Sequence, residues 1–66
     1  MEDRMMKWFE TESLSEEMMD LIGMPFKRLA MRIVEKTEPG PERTIALRKL
    51  LEARDSAIRA VTCPGG

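Results

Sequence analysis

The sequence contains no histidine, no tyrosine and a single cysteine, Cys63. Without histidine, and with one thiol, the chain has no ligand set for a structural zinc ion and cannot form an internal disulfide. Most proton-transfer or nucleophilic sites need a histidine, an activated cysteine or a confined pair of carboxylates, and the sequence gives no sign of any of these. The composition therefore predicts that the protein is not an enzyme and holds no metal or cofactor.

Long apolar runs are also missing. No stretch approaches the roughly 18 residues that would span a bilayer, and the acidic N-terminus does not resemble a signal peptide. We therefore expect a cytoplasmic protein with no membrane partner. The formal net charge of −1 gives the whole chain no electrostatic attraction to duplex nucleic acid.

Charge is unevenly distributed along the chain. Residues 1–20 hold seven acids and two bases, whereas residues 21–66 hold nine bases and five acids. This asymmetry indicates either head-to-tail or antiparallel self-association, or an anion site in the second half. Self-association is also expected from size, because 66 residues bury only about 60% of their unfolded surface and neither disulfide nor metal is present to compensate.

Apolar periodicity predicts three helices and no strand. The first is short and covers residues 2–10. Ser13, with Glu16 three positions later, has the pattern of a capping box and predicts the start of the second helix. The apolar phase of that helix continues through Pro25, where a kink or brief interruption is expected. After a Gly/Pro turn, the last helix is predicted from about Pro41 to Val61.

Two helices cannot enclose a core, so each chain must pack against another. The predicted fold class is all-α: a short N-terminal helix plus a two-helix antiparallel hairpin, assembling into a compact homo-oligomeric helical bundle. The expected divisions are an N-terminal arm over residues 1–12, a helical hairpin domain over residues 13–61 and a flexible tail over residues 62–66.

The start of the last helix is the best candidate for a binding site. A Gly/Pro turn leads into a helix whose first amides and positive dipole end attract anions. Arg43 adds a planar donor fork suited to phosphate oxygens, and Thr44 adds a hydroxyl at the same end. Charged residues in a first turn also serve simply as caps or face water.

The stretch from Pro39 to Ala60 resembles the signature helix of the phage anti-CBASS cyclic-nucleotide sponges and the related Thoeris anti-defence sponges. Their pattern has a proline-containing turn, Glu-Arg, two variable residues and Ala-Leu, followed by a leucine, Glu-Ala and a run of small residues. The matching positions here are Glu42, Arg43, Ala46, Leu47, Leu50, Glu52, Ala53, Ala57 and Ile58.

The resemblance implies a homohexamer that binds and sequesters cyclic oligonucleotide messengers without cleaving them, and so blocks CBASS-type signalling in the infected bacterial cell. It implies that Arg43 clasps phosphates, that Thr44 donates to them and that Glu42 orients Arg43 or accepts from a base. Substitution of Arg43 by alanine is then expected to abolish binding and leave the oligomer intact.

Other residues have secondary roles in this interpretation. Ala46 and Leu47 shape the floor of the site, and Lys27 is a possible second cation. Trp8 or Phe9 stacks on a base or anchors the arm to a neighbouring subunit. Sponges that hold cyclic dinucleotides use a tyrosine in the arm, which this sequence lacks, so a cyclic trinucleotide is favoured over a dinucleotide.

The sequence is also compatible with two other functions. The first is a small helical interaction or regulatory protein of a phage or bacterium, which covers a groove on a partner with its methionine-rich face. The second is DNA binding, which needs a basic recognition helix. The last helix interrupts its basic residues with Glu52 and Asp55, so duplex nucleic acid is not an expected partner.

Overall fold

The computed structural model describes residues 3–63 and residue 65, and these contain helices and no β-strand. The all-α class is therefore confirmed for the described part of the chain. Parts of the predicted arm and tail, at residues 1–2, 64 and 66, lie outside the described residues. The elements are a 3-10 helix Arg4–Phe9, α1 Glu16–Met18, a π-helical turn Met19–Gly23, α2 Met24–Lys36 and α3 Pro41–Thr62.

The N-terminal segment is a 3-10 helix rather than an α-helix. Asp3 caps it, since Oδ1 of Asp3 accepts a hydrogen bond from the Met5 amide at 2.9 Å. A segment this short gains little from regular α-helical hydrogen bonds, so tertiary contacts decide its geometry. The contact that holds it is Phe9, which is fully buried with Ala30 and Leu47.

The predicted helix start at Ser13 is wrong by two residues. Ser15 is the N-cap, and its hydroxyl accepts from the Met18 amide at 3.2 Å. The chain makes a turn before this point, where the Leu14 amide donates to the Thr11 carbonyl. Leu14 packs so closely on Gly23 that a Cβ there would lie 2.6 Å from Leu14 Cδ1. This contact places Leu14 outside the helix and moves the cap to Ser15.

Removal of the observed cap should destabilise the fold measurably. Substitution of Ser15 by alanine is expected to lower the free energy of unfolding by about 1 kcal/mol, because the Met18 amide loses its acceptor. Urea denaturation followed by circular dichroism measures the change. Ser13→Ala is the matched control and should have little effect; the reverse ranking would show that Ser13 is the cap in solution.

The interruption expected near Pro25 is present as the π-helical turn directly before α2. The Met24 amide donates to the carbonyl of Met19, five residues earlier. In a regular α-helix the ring of Pro25 would clash with the carbonyl of Leu21. The wider π turn relieves this clash, and helical geometry continues into α2 without a break.

The core is small and lies where the 3-10 helix, α2 and α3 meet. Phe9, Ala30 and Leu47 have no exposed surface, and Met18 and Ile22 are nearly as buried. The half-buried apolar residues around the fully buried cluster are Met5, Met6, Phe26, Ile33, Val34, Leu50 and Leu51.

Within the described residues, no helix has the length and hydropathy to cross a bilayer.

Candidate functional site

The first turn of α3 is exposed and has no side-chain cap. Gly40 is the N-cap, Pro41 occupies the first helical position, and no side chain accepts from the amides that follow. The Gly40 carbonyl accepts from the Thr44 amide at 3.2 Å and from the Thr44 hydroxyl at 3.3 Å. Glu42 and Thr44 are exposed. Among the described residues no side chain accepts from the Glu42 and Arg43 amides, and such free amides at a helix start are what an anion site uses.

Arg43, in contrast, turns inward and is only 8% exposed. Its Nε donates to Oδ2 of Asp3 at 2.9 Å. Its Nη1 donates to the carbonyls of Thr37 at 3.0 Å and Val34 at 3.3 Å. These carbonyls are at the end of α2, where the helix dipole is negative and a cation is favourable. The residue predicted to clasp phosphate thus joins the N-terminal arm, the end of α2 and the start of α3.

Asp3 is a site residue that the sequence did not reveal. One of its oxygens caps the 3-10 helix and the other accepts from Arg43. The two residues are 40 positions apart, and Asp3 is one of seven acids in the first twenty residues. No local pattern distinguishes it from the other six, so its partnership with Arg43 could not be predicted.

One nitrogen of the Arg43 guanidinium has no partner among the described residues. Among the described residues, no hydrogen bond from Nη2 is found, and this nitrogen carries two donors in the plane of the fork. A shallow depression of about 350 Å³ lies beside Arg43. Glu35 and Glu38 also line it, so one chain does not offer a phosphate a net positive pocket.

A second cluster lies along α2 and α3, away from Arg43. Lys27 Nζ is 3.7 Å from Oε1 of Glu10. Nη1 of Arg54 donates to the Glu10 carbonyl at 3.4 Å, and the Arg54 guanidinium carbon lies 6.0 Å from the centre of the Phe9 ring. The side chain of Arg54 is mostly buried. This cluster fastens the end of the arm.

The two predicted aromatic residues of the arm have different environments. Phe9 is fully buried, whereas Trp8 is 54% exposed. The Nζ of Lys7 lies 5.2 Å from the centre of the Trp8 ring. Of the two, Trp8 is thus the one that a base or a partner can reach, and Phe9 anchors the arm to its own chain.

The predicted site residues are not all gathered in one place. Lys27 precedes Val34, an Arg43 contact, by seven residues, which is about 10 Å along a helix. Ala46 is exposed, but Leu47 is fully buried in the core. In a single chain, Leu47 therefore supports the site from beneath and does not line it. A ligand that contacts both Arg43 and Lys27 would have to extend from one cluster to the other. Alternatively, it would contact Arg43 of one chain and Lys27 of another.

In the part of the chain that the structure describes, no three acidic or cysteine side chains are grouped as a metal site requires. Comparison with protein-family models, with curated proteins and with solved structures gave no match.

Proposed function

We propose that this protein is a phage anti-defence protein that binds cyclic oligonucleotide second messengers and sequesters them without cleavage, which blocks CBASS-type signalling in the infected bacterial cell. The observation that carries the proposal is the start of α3. There a helix turn without a side-chain cap contains Arg43, whose guanidinium turns inward to Asp3 and the end of α2, within the segment whose sequence resembles the sponges.

The chemistry of this turn suits a phosphodiester. Helix-start amides and the dipole stabilise one negative charge, and the Nη2 edge of Arg43 supplies two charge-assisted donors. The Thr44 hydroxyl can turn from the Gly40 carbonyl to a phosphate oxygen, since a hydroxyl hydrogen rotates. Asp3 holds the Nε edge, so the ligand approaches from the Nη2 side.

Several chains are needed to make the site positive. Asp3, Glu35 and Glu38 lie close to each Arg43 and largely cancel its charge. In the proposed assembly, α2 and α3 form an antiparallel hairpin, and the hairpins assemble into a homo-oligomer, with a hexamer as the expected state. Symmetry repeats Arg43 together with these carboxylates, so the positive charge that a polyanionic ring requires must come from further bases of neighbouring chains.

The arm favours a cyclic trinucleotide over a dinucleotide. The arm lacks the tyrosine that the dinucleotide-binding sponges use, and its exposed aromatic residue, Trp8 with Lys7 beside it, is proposed to stack on a base of the larger ring. The composition supports binding without cleavage. The chain has no histidine to act as a general base, and its one cysteine, Cys63, is exposed.

Calorimetric titration with cyclic trinucleotides and dinucleotides tests the proposal directly. We expect the protein to bind a cyclic trinucleotide more tightly and to release it unchanged after heat denaturation. Arg43→Lys keeps the charge but loses the fork, and should weaken binding about tenfold or more. Arg48→Lys, at an exposed position of the same helix, is the matched control. Absence of binding with every cyclic nucleotide, or recovery of a cleaved product, would contradict the proposal.

A second candidate function has its own supporting observation. Leu21, Leu29 and Met31 are large apolar residues with about half of their surface exposed, which is typical of a helical interaction or regulatory protein. A protein that binds no cyclic nucleotide, and whose exposed apolar residues are not covered by another copy, would favour this function.

A further inference from the structure

One side of the helical region 16–36 is not covered by the other described parts of the chain. Residues spaced by three or four positions lie on a common face of a helix. Leu21 is 57% exposed and Leu29 is 46% exposed. We call this surface the α2 face; its exposed residues are Glu17, Leu21, Pro25, Arg28, Leu29 and Arg32.

The α2 face also contains a groove. A depression of about 430 Å³ overlaps this face and is lined by both apolar and charged side chains. Its lining residues are Pro25, Arg28, Leu29, Met31, Arg32 and Glu35. Exposed apolar side chains next to charged ones are usual on a helix that docks on another helix.

The charge along this region reverses sign at its middle. Residues 16–23 contain three acids and no base, and residues 24–36 contain four bases and one acid. Two parallel copies would place like charges together, whereas two antiparallel copies would place the acidic half of each against the basic half of the other. The charge pattern therefore selects a second copy of this chain, in antiparallel orientation, as the complementary partner.

We infer that the α2 face binds the α2 face of a second copy across a two-fold axis near Pro25. Leu21 then lies opposite Leu29 of the second copy, and Glu17 lies opposite Arg32 of the second copy. Both contacts occur twice, because a two-fold interface repeats every pair. This pairing specifies the self-association included in the proposed function, but it does not require the ligand.

The chain exposes more surface than a typical monomer of its mass, as expected if a partner normally covers part of it. The chain exposes 5031 Å², whereas a monomeric protein of its mass exposes about 4,300 Å². The excess is about 700 Å², close to the roughly 800 Å² that each partner buries in a standard interface. The region from 16 to 36 is about 30 Å long, which gives a helix pair enough length to bury such an area.

Removal of the exposed leucines of the α2 face should disrupt the pairing. We expect the double variant Leu21→Gln/Leu29→Gln to associate about tenfold more weakly or worse, measured as average mass by sedimentation over a range of concentrations without ligand. Val61→Gln is the matched control, because Val61 is also an exposed apolar residue but lies at the end of α3. Circular dichroism confirms that each variant is folded.

A charge-swap series decides the orientation. Glu17→Arg and Arg32→Glu should each weaken self-association, and the double variant Glu17→Arg/Arg32→Glu should restore it, because both ion pairs re-form with reversed sign. A wild-type protein that is monomeric at its highest soluble concentration, or a double variant no better than the single variants, would overturn the inference. Restoration in a protein that binds no cyclic nucleotide would support the interface and contradict only the proposed ligand.

Discussion

Substitution of Phe9 by alanine is expected to lower the free energy of unfolding by about 3 to 5 kcal/mol. The Phe9 ring has no exposed surface and packs in the core with Ala30 and Leu47, so its loss leaves a cavity where the arm meets α2 and α3. The stability of a chain of 66 residues is about 3 to 10 kcal/mol in total. Urea denaturation should therefore show that the variant is only marginally stable, or that it is already unfolded without urea.

The neighbouring residue supplies the control for this experiment. Trp8 is a larger side chain, but more than half of it is exposed, and Trp8→Ala should change stability by about 1 kcal/mol or less. If Trp8→Ala destabilised an isolated chain as strongly as Phe9→Ala, the arm would dock differently in solution. Stabilities must be compared at one protein concentration, because self-association adds to the apparent stability.

Substitution of Arg43 by alanine is expected to destabilise the protein by about 3 kcal/mol. The loss removes the ion pair with Asp3 and the donors that satisfy the carbonyls of Val34 and Thr37. Asp3 and the end of α2 are then left without their partner in a site that is largely shielded from water. Chemical denaturation at matched protein concentration measures this change.

Two further variants separate the sources of this effect. Arg48→Ala removes an exposed arginine from the same helix and should have little effect. Asp3→Asn keeps a side-chain acceptor but removes the charge, and should cost less than Arg43→Ala. Wild-type stability in Arg43→Ala would show that the arm is not held by Arg43 in solution.

The structure changes the expectation that Arg43→Ala leaves the assembly intact. Because Arg43 holds three segments of its own chain together, its truncation affects folding and binding at once. Loss of ligand binding in that variant would not separate the two roles. Arg43→Lys, which keeps a cation near Asp3, is therefore the sharper test of phosphate recognition.

Local sequence signals were sufficient for the helical class and for α3. Pro41 begins α3 as predicted, and the helix ends at Thr62, one residue beyond the predicted end. Gly40 and Pro41 act on their own backbone, so their effect needs no distant partner. The interruption before Pro25 was predictable for the same reason, because a proline disturbs the turn immediately preceding it.

The features that sequence patterns missed all depend on residues far apart in the chain. Ser15 replaced Ser13 as the cap because Leu14 packs on Gly23. The inward turn of Arg43 depends on Asp3, 40 positions away, and the burial of Phe9 rather than Trp8 depends on Ala30 and Leu47. Apolar periodicity predicts which side of a helix a residue lies on. Where several similar side chains share that side, the packing of distant segments decides which of them is buried.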